Sequence, residues 1–317
     1  MAPGYQKDHI AEGVRMKTSD LLTFLREEYL DDAVEPFQWS DIYLLRLLNT
    51  AEQEAARRAD LLLDETHATA ADLATGVATA TTVGALVDSA AVFVSTEVGK
   101  TVYNTTKNTF ATITALISGT QLTLSSDIMV SGDSYIIGDP AYALTRICLE
   151  SEIAQYPTSQ KIKKIVNCYR ASDGYPLLQK TEAWLDTNFA QWRSIQGAPI
   201  YYIEKKGMVR VTPIPDATIN SGTGKDTLIF GAYRLPLRDM VVTGNSAPEI
   251  DEQYHINLLD HVCELAYAKQ DADTYDAQKS IRHAQAFIQK FGPPVSALVE
   301  QNMRLIPSGF RLDGPKF

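Results

Sequence analysis

The stretch from Phe37 to Leu63 constrains the fold most, because it carries the clearest helix pattern in the chain. Ser40 can cap this helix, since its hydroxyl can accept from backbone N–H groups of the first turn, and Asp41 favours the positive helix end. An apolar stripe recurs three or four residues apart and narrows from leucine to alanine: Leu44, Leu48, Ala51, Ala55, Ala59 and Leu62. The pattern predicts a helix whose stripe is buried against a close neighbour.

Length and composition are those of a globular protein. The chain has 317 residues, 45% hydrophobic and 21% charged, so it can bury one large core or two modest ones. Its formal net charge of −10 argues against a surface built to grip nucleic-acid phosphate. Residues Met1–Met16 contain no apolar run of signal-peptide length, and no later window approaches a membrane span. We therefore expect a protein made and kept in a cytoplasm, with no membrane partner.

The N-terminal part of the chain contains one further helix. Start signals at Thr18–Asp20 precede an apolar face that ends near Asp31. The members of this face are Leu21, Leu22, Leu25 and Tyr29. Residues 1–17 show no such pattern, and we predict an N-terminal arm there that either reaches a neighbouring subunit or frays.

Between residues 68 and 138 the composition changes to Thr, Ala, Val, Ser and Gly, with few charges. Short apolar runs separated by turn residues predict strands at Ala91–Ser95, Lys100–Tyr103, Thr109–Leu116, Gln121–Leu124 and Ser134–Ile137. Five short strands at this spacing fit a small β-barrel or sandwich inserted into the chain.

The chain returns to its main body at Asp139. Residues 141–155 fit helix or strand equally, whereas Lys161–Arg170 alternates as a strand does. The following predicted elements are a helix from Thr181, a hairpin of Pro199–Ile203 and Met208–Pro213 about Lys205–Gly207, a strand at Thr227–Tyr233, and helices at Asp251–Gln270 and Ala277–Phe291. The apolar faces predicted for the last two helices include Ile256, Ile281 and Ile288.

Together these elements predict an α+β protein: a helical bundle with a small antiparallel sheet and an inserted small β-barrel or sandwich domain. The predicted organisation is an arm at 1–17, a discontinuous body at 18–67 and 139–291, an inserted β domain at 68–138, and a C-terminal tail at 292–317. For the tail, seating on a partner and disorder are equally compatible with the Pro, Gly and Arg content.

The sequence offers no catalytic or metal constellation. Ser221–Lys225 resembles a phosphate loop, but Ile219 and Asp226 occupy positions where such a loop needs Gly and Ser or Thr. His261, Cys263 and Glu264 would need distant ligands to hold a metal, so a packing role is favoured. Three cysteines, Cys148, Cys168 and Cys263, lack metal-site spacing and are expected to be reduced and buried. We predict neither an enzyme nor a cofactor or metal.

Several strings, taken in order, resemble one protein family. They are Pro36-Phe37-Gln38-Trp39-Ser40-Asp41 with Ala55-Ala56-Arg57-Arg58, then Ala171-Ser172-Asp173-Gly174, Leu185-Asp186, Trp192, Gly197-Ala198-Pro199, Pro213-Ile214-Pro215-Asp216, Tyr233-Arg234-Leu235-Pro236-Leu237 and Tyr267-Ala268-Lys269-Gln270. In this order and spacing they look like the head-to-tail adaptor (connector) proteins of tailed bacteriophages, and we expect a short-tailed phage among these. The resemblance covers roughly 18–64 and 140–295, and the run from Lys100 to Ile137 is similar to a β module inserted in some of these adaptors.

This resemblance implies a structural virion protein. Copies would form a closed ring, dodecameric in the family, that docks on the portal protein and presents a platform for the next tail component, a nozzle or tail tube. Genomic DNA would pass through the lumen without sequence-specific binding. The insertion is expected to face outward, where it could receive tail fibres. The protein would lie at the head-tail interface of the virion, and in the host cytoplasm during assembly.

Candidate interaction residues follow from the same expectation. They are Trp192 and Arg193 as a contact between subunits, Arg57 and Arg58 on the helix predicted within Phe37–Leu63, and Arg304, Phe310 and Arg311 in the tail. An alternative function is a glycan- or receptor-binding tail or collar component that acts through the β insertion. The insertion's aromatic residues Phe93, Tyr103, Phe110 and Tyr135 could offer stacking faces, although core positions are the favoured assignment.

Overall fold

The computed structural model describes residues 16–64, 74–107, 109–138, 144–220, 226–242, 246–270, 273–296 and 299. These residues fall into two compact units. The helical unit contains the described residues up to Leu62 and from Arg238 to Val295, and the β unit consists mainly of Leu63–Leu237. The predicted arm up to residue 15, the loop Ser221–Lys225 and the tail from residue 300 onward lie outside the described residues. The inserted β domain predicted at residues 68–138, with those limits, stays a prediction.

The α-helices among the described residues are α1 (Thr18–Phe24), α2 (Asp41–Arg58), α3 (Glu182–Asn188), α4 (His255–Ala268) and α5 (Ala277–Phe291). All except α3 belong to the helical unit. α1 continues as a π-helical segment, Leu25–Leu30, which ends at Asp31 in the left-handed region (φ 52°). Both helices predicted in this part of the chain are confirmed.

The start of α2 is as predicted, but its end is not. The Ser40 hydroxyl accepts from the Tyr43 backbone N–H at 3.3 Å, which satisfies one of the unpaired donors of the first turn. The leucines and first alanines of the predicted stripe are buried: Leu44, Leu48, Ala51 and Ala55. The helix stops at Arg58, because Ala59 takes up extended backbone angles. The predicted continuation through Ala59 and Leu62 is therefore wrong.

α4 packs against both α2 and α5. The buried side of α4 is formed by Leu258, Leu259, Val262 and Ala266, and that of α5 by Phe287 and Phe291. Three isoleucines predicted on these faces are exposed instead: Ile256, Ile281 and Ile288. The predicted faces were too wide, because the buried arc of each helix centres on other residues of the same period.

The strands of the β unit are β1 (Leu63–Asp64), β2 (Ala74–Val77), β3 (Ala85–Val87), β4 (Thr101–Asn104), β5 (Thr109–Ser118), β6 (Gln121–Leu124), β7 (Ser134–Gly138), β8 (Arg146–Cys148), β9 (Gln155–Pro157), β10 (Ile162–Arg170), β11 (Leu178–Gln179), β12 (Tyr201–Lys205), β13 (Met208–Thr212) and β14 (Thr227–Arg234). They form three sheets, paired antiparallel except for β11 with β12. The α+β class is confirmed.

The first sheet is six-stranded, in the order β2-β7-β4-β5-β6-β3. Its two edges approach each other where the Thr79 N–H donates to the Val87 carbonyl at 2.8 Å, so the sheet curls toward a barrel. Four of the five predicted strands are confirmed. A strand at Ala91–Ser95 is wrong, since this segment is irregular and leads into a 3₁₀ turn. β2 and β3 were not predicted.

The other two sheets have four strands each. One has the order β1-β14-β10, with β8 also paired to β14, and the other has the order β11-β12-β13-β9. The predicted hairpin of β12 and β13 is confirmed, with Gly207 in the left-handed region (φ 71°) at its turn. The undecided stretch 141–155 contains β8 and leads into β9. Residues of both sheets share one core, with Ile165 and Phe230 on one side and Tyr202 and Val211 on the other.

Candidate functional site

α3 and the sheet it covers place the first pair of predicted interaction residues. The Thr181 hydroxyl caps α3 by accepting from the Trp184 N–H at 3.2 Å. Leu185 of α3 then packs with Trp192 and Ile203 in a small core over β12. The indole of Trp192 is 2% exposed, so this side chain is the centre of a core and not a freely exposed contact.

Two guanidinium groups flank the Trp192 indole. Arg193 lies 4.2 Å and Arg210 4.7 Å from the ring centroid, both within cation–π range. The indole N–H donates to Asp186 Oδ1 at 2.8 Å, and Arg193 donates to the same carboxylate. We call Asp186, Trp192, Arg193 and Arg210 the arginine–tryptophan stack.

The charges of this stack are unevenly compensated. Hydrogen bonds from Arg193 and from the Trp192 indole hold the Asp186 pKa below its usual range, and the Asp186 carboxylate raises the pKa of Arg193. Arg210 has no such partner, because no described carboxylate pairs with it. Its Nε–H is buried and finds no acceptor among the described residues. Arg210 was not among the residues predicted from the sequence.

Arg57 and Arg58 have different surroundings at the end of α2. The Arg58 side chain is 6% exposed and donates to Glu54 Oε1 at 2.7 Å and to the Gly292 carbonyl at 3.2 Å. Its guanidinium also lies 4.8 Å from the Phe287 ring centroid, so it joins the ends of α2 and α5. Arg57 is exposed and pairs with Glu54 at 2.5 Å. The remaining predicted interaction residues, Arg304, Phe310 and Arg311, lie outside the described residues.

The connection between α1 and α2 is organised by a buried arginine. Arg26 donates to Asp32, and to the Trp39 carbonyl and Asp41 Oδ1 at 2.7 Å each. Asp32 in turn accepts from the Gln38 backbone N–H at 2.7 Å. These bonds hold residues 27–37, which we call the acidic connection, against the start of α2.

The acidic connection carries five acidic residues and no basic one. Four of the five are exposed and form no ion pair with a described residue: Glu27, Glu28, Asp31 and Glu35. Val34 between them is 81% exposed. This segment therefore presents negative charge around an apolar side chain.

The aromatic residues of the six-stranded sheet are mostly internal. Phe93, Tyr103 and Tyr135 are buried, so they cannot offer stacking faces, whereas Phe110 is 46% exposed. Phe110 lines a groove of about 350 Å³ whose other walls include Leu144, Arg146 and Phe230. A second groove of about 270 Å³ shares Phe110. Hydroxyl groups line both grooves: Thr109, Ser126, Thr158 and Ser159 in the first, Thr101, Thr112, Ser125 and Ser159 in the second.

Two histidines of the helical unit, His261 and His283, are engaged in helix packing. His261 Nδ1 lies 2.7 Å from Glu264 Oε2, and its imidazole stacks on Phe287 with centroids 4.7 Å apart. His283 Nδ1 lies 2.9 Å from Asp260 Oδ1. Across the described ranges, no group of three or more His, Cys, Asp or Glu side chains is placed to hold a metal ion.

Two further findings complete the description. The three cysteines are free and buried, as predicted, and burial raises the thiol pKa of Cys168 and Cys263. Within the part of the chain that the structure describes, no helix is both long and apolar enough to cross a membrane.

The chemistry that these units place at their surfaces is that of contacts: a cationic stack, an acidic connection and exposed isoleucines. Exposed apolar side chains of this kind are found at surfaces that contact other proteins. The chain matches the family model described as SU10 adaptor protein over residues 16–301, and it belongs to that family. The family consists of structural phage adaptor proteins and is not an enzyme family. No curated protein matches the chain.

Proposed function

We propose that this protein is a head-to-tail adaptor of a tailed phage, and that the phage is a short-tailed one. Its copies form a closed ring on the portal. The observation that carries the proposal is the family match across residues 16–301. A closed ring needs two different contact surfaces on every subunit, because each copy meets one neighbour through each surface. The family resemblance implies twelve copies.

Exposed apolar side chains of the helical unit support assembly. Ile281 of α5 is 58% exposed, and Ile288, two turns further along the same side of the helix, is also exposed. Their period is that of a buried face, yet the single subunit does not cover them. We assign them to a contact with a neighbouring copy or with the portal.

The net charge supports passage of DNA through such a ring. A duplex carries about one negative charge per 1.7 Å of helix axis, and the subunit has a formal charge of −10. Charges of the same sign let a duplex slide without sequence-specific binding. The next tail component would dock on the free side of the ring, and tail fibres on the outward-facing six-stranded sheet. The protein would then be in the virion, after assembly in the host cytoplasm.

Native mass measurement tests this proposal directly. The purified chain is measured alone and after mixing with the portal ring encoded by the same genome. We expect subunits to join the portal in a ring-sized multiple, twelve if the family number holds. A chain that neither self-assembles nor joins the portal would refute the adaptor function, and a ring map with the six-stranded sheet in the lumen would refute its outward placement.

The grooves at Phe110 favour one second candidate function, glycan binding by a tail or collar component. An exposed aromatic ring beside several hydroxyl groups can stack on a sugar while the hydroxyls hydrogen-bond to it. Phages carrying Phe110→Ser should then assemble normally but adsorb poorly to host cells. Exposed Val92 lies outside both grooves, so Val92→Ser provides a matched control. Unchanged adsorption of the Phe110 variant would remove this candidate.

A further inference from the structure

We propose that the arginine–tryptophan stack binds carboxylate side chains of the acidic connection on an adjacent copy of this chain. Arg210 is the anchoring group, and the Trp192 indole holds its guanidinium in place. The inference rests on the proposed ring and identifies one pair of surfaces that would join its subunits.

The surroundings of Arg210 point to an external anion. Four other buried or half-buried arginines each pair with a carboxylate of their own subunit: Arg26, Arg58, Arg170 and Arg234. Arg210 is likewise half-buried, yet no described carboxylate pairs with it, and its guanidinium lies 4.7 Å from the centroid of the Trp192 ring. A partly desolvated cation without a counter-ion is unfavourable. A carboxylate supplied by another molecule would remove this cost.

The region around the stack is positive on a negative protein. Between Lys180 and Thr212 there are five basic and three acidic residues, and one of the three, Glu204, is buried. The other two acidic residues are already paired, Asp186 with Arg193 and Glu182 with Lys205. The region therefore attracts anions, although the whole chain repels them.

The complementary surface is present on the same chain. The acidic connection exposes four carboxylates that have no ion-pair partner among the described residues, and Val34 between them is exposed. Arginine fits a carboxylate through two parallel hydrogen bonds. One positive and one negative surface per subunit satisfy the requirement of a head-to-tail contact for two different faces.

A protein carboxylate suits the stack better than a DNA phosphate. Asp186 lies within the stack, where its charge would repel a continuous phosphate backbone. It would disturb a single side-chain carboxylate less, because that group can approach Arg210 alone. The net charge of −10 also disfavours a nucleic-acid surface.

A double-mutant cycle tests the inference in the full-length protein mixed with its portal ring. One variant is Arg210→Gln. The second neutralises the acidic connection with Glu27→Gln, Glu28→Gln, Asp31→Asn and Glu35→Gln. The third combines both, and Arg46→Gln, at an exposed arginine of α2 without a described partner, controls for the loss of one positive charge. Native mass gives the protein concentration at which half of the portal rings are occupied.

We expect Arg210→Gln and the acidic variant each to raise this concentration by about tenfold or more. The combined variant should be little worse than either alone, because both changes remove the same contact. The Arg46 control should match wild type. Thermal unfolding of each free variant shows whether it is folded. If Arg210→Gln is unfolded, the test rests on the acidic variant alone, because that variant leaves the stack intact. Its half-occupancy concentration then shows whether the contact exists.

Three outcomes would overturn the inference. If wild type joins the portal and neither variant is weakened, the ring stands and this contact is wrong. If the two effects simply add, the surfaces do not meet. If assembly is normal but Arg210→Gln loses binding to a DNA duplex of about 30 base pairs, the stack binds DNA and not a carboxylate. Failure of wild type itself to join the portal would refute the proposed function as well.

Discussion

The hydroxyl oxygen of Tyr103 accepts a hydrogen bond from the backbone N–H of Cys148 at 3.0 Å. Tyr103 belongs to β4 of the six-stranded sheet, and Cys148 belongs to β8 of a four-stranded sheet. Both side chains are buried in one small cluster. This bond joins the curled sheet to the rest of the β unit through a polar contact that excludes water.

Replacing Tyr103 with Phe should destabilise the β unit by about 1–2 kcal/mol, because the Cys148 N–H would stay buried without an acceptor. Tyr175→Phe removes a hydroxyl from an exposed tyrosine and should change stability by less than about 0.5 kcal/mol. Urea unfolding followed by circular dichroism measures both. Equal stabilities of the two variants would show that the bond contributes nothing.

Gly76→Ala should destabilise the six-stranded sheet by about 1–3 kcal/mol. A Cβ atom at this position would lie 2.5 Å from the Tyr135 hydroxyl and in clash with the Asp88 carboxylate. These two groups are joined by a hydrogen bond of 2.7 Å, so neither can move without breaking it. Gly119→Ala is the matched control, since nothing lies within 4 Å of its added Cβ. A thermal unfolding midpoint that falls equally in both variants would contradict this account.

Glu52→Ala should destabilise the helical unit by about 2–4 kcal/mol, because it leaves two backbone N–H groups without an acceptor. The buried Glu52 carboxylate accepts from the Glu249 N–H at 2.5 Å and the Ile250 N–H at 3.2 Å. Its neighbour Gln53 is exposed on α2, and Gln53→Ala should have little effect. Hydrogen exchange at Glu249 and Ile250 provides a local measure. Unchanged protection of these amides in Glu52→Ala would contradict the assigned role.

Asp133 should make the β unit sensitive to acid. Burial alone would raise the Asp133 pKa, but hydrogen bonds from Lys107, the Val130 N–H and Asn104 outweigh it and hold the pKa below its usual value. The stabilisation is therefore fully present above the unfolded-state pKa of about 3.9 and is lost as pH falls through the lower folded-state value. The stability difference between wild type and Asp133→Asn should shrink from pH 6 toward pH 2 in urea unfolding. A difference independent of pH would refute this prediction.

Among the site residues, the sequence led to Trp192 and Arg193 but not to Arg210. Arg193 is adjacent to Trp192 in the chain, so a contact between them follows from local reasoning. Arg210 lies on β13 and reaches the same indole only because α3 covers the sheet of β12 and β13. The signal in the sequence was a lone cation between two apolar strand residues, Val209 and Val211, which does not reveal what it faces.

Local signals decided much of the secondary structure. The Ser40 and Thr181 caps and the Gly207 turn act through backbone groups a few residues away, so the sequence alone was enough to place them. Long-range pairing decided the rest. β2 and β3 have only four and three residues, and they exist as strands because β7 and β6 satisfy their hydrogen bonds. Such pairing depends on residues far away in the chain, which no local pattern encodes.

Burial shows the same division. The periodicity of α2 identified Leu44 and Leu48 as core, since a helix with one apolar stripe has one face to bury. It could not identify Glu52 as buried, because that position becomes favourable for a carboxylate through groups far away in the chain, among them the N–H groups of Glu249 and Ile250. The sequence by itself determined which segments are amphipathic. The tertiary structure decided which polar groups find partners within the described part of the subunit and which, like the buried Nε–H of Arg210, find none there, because the free energy of a buried charge depends on the groups that surround it.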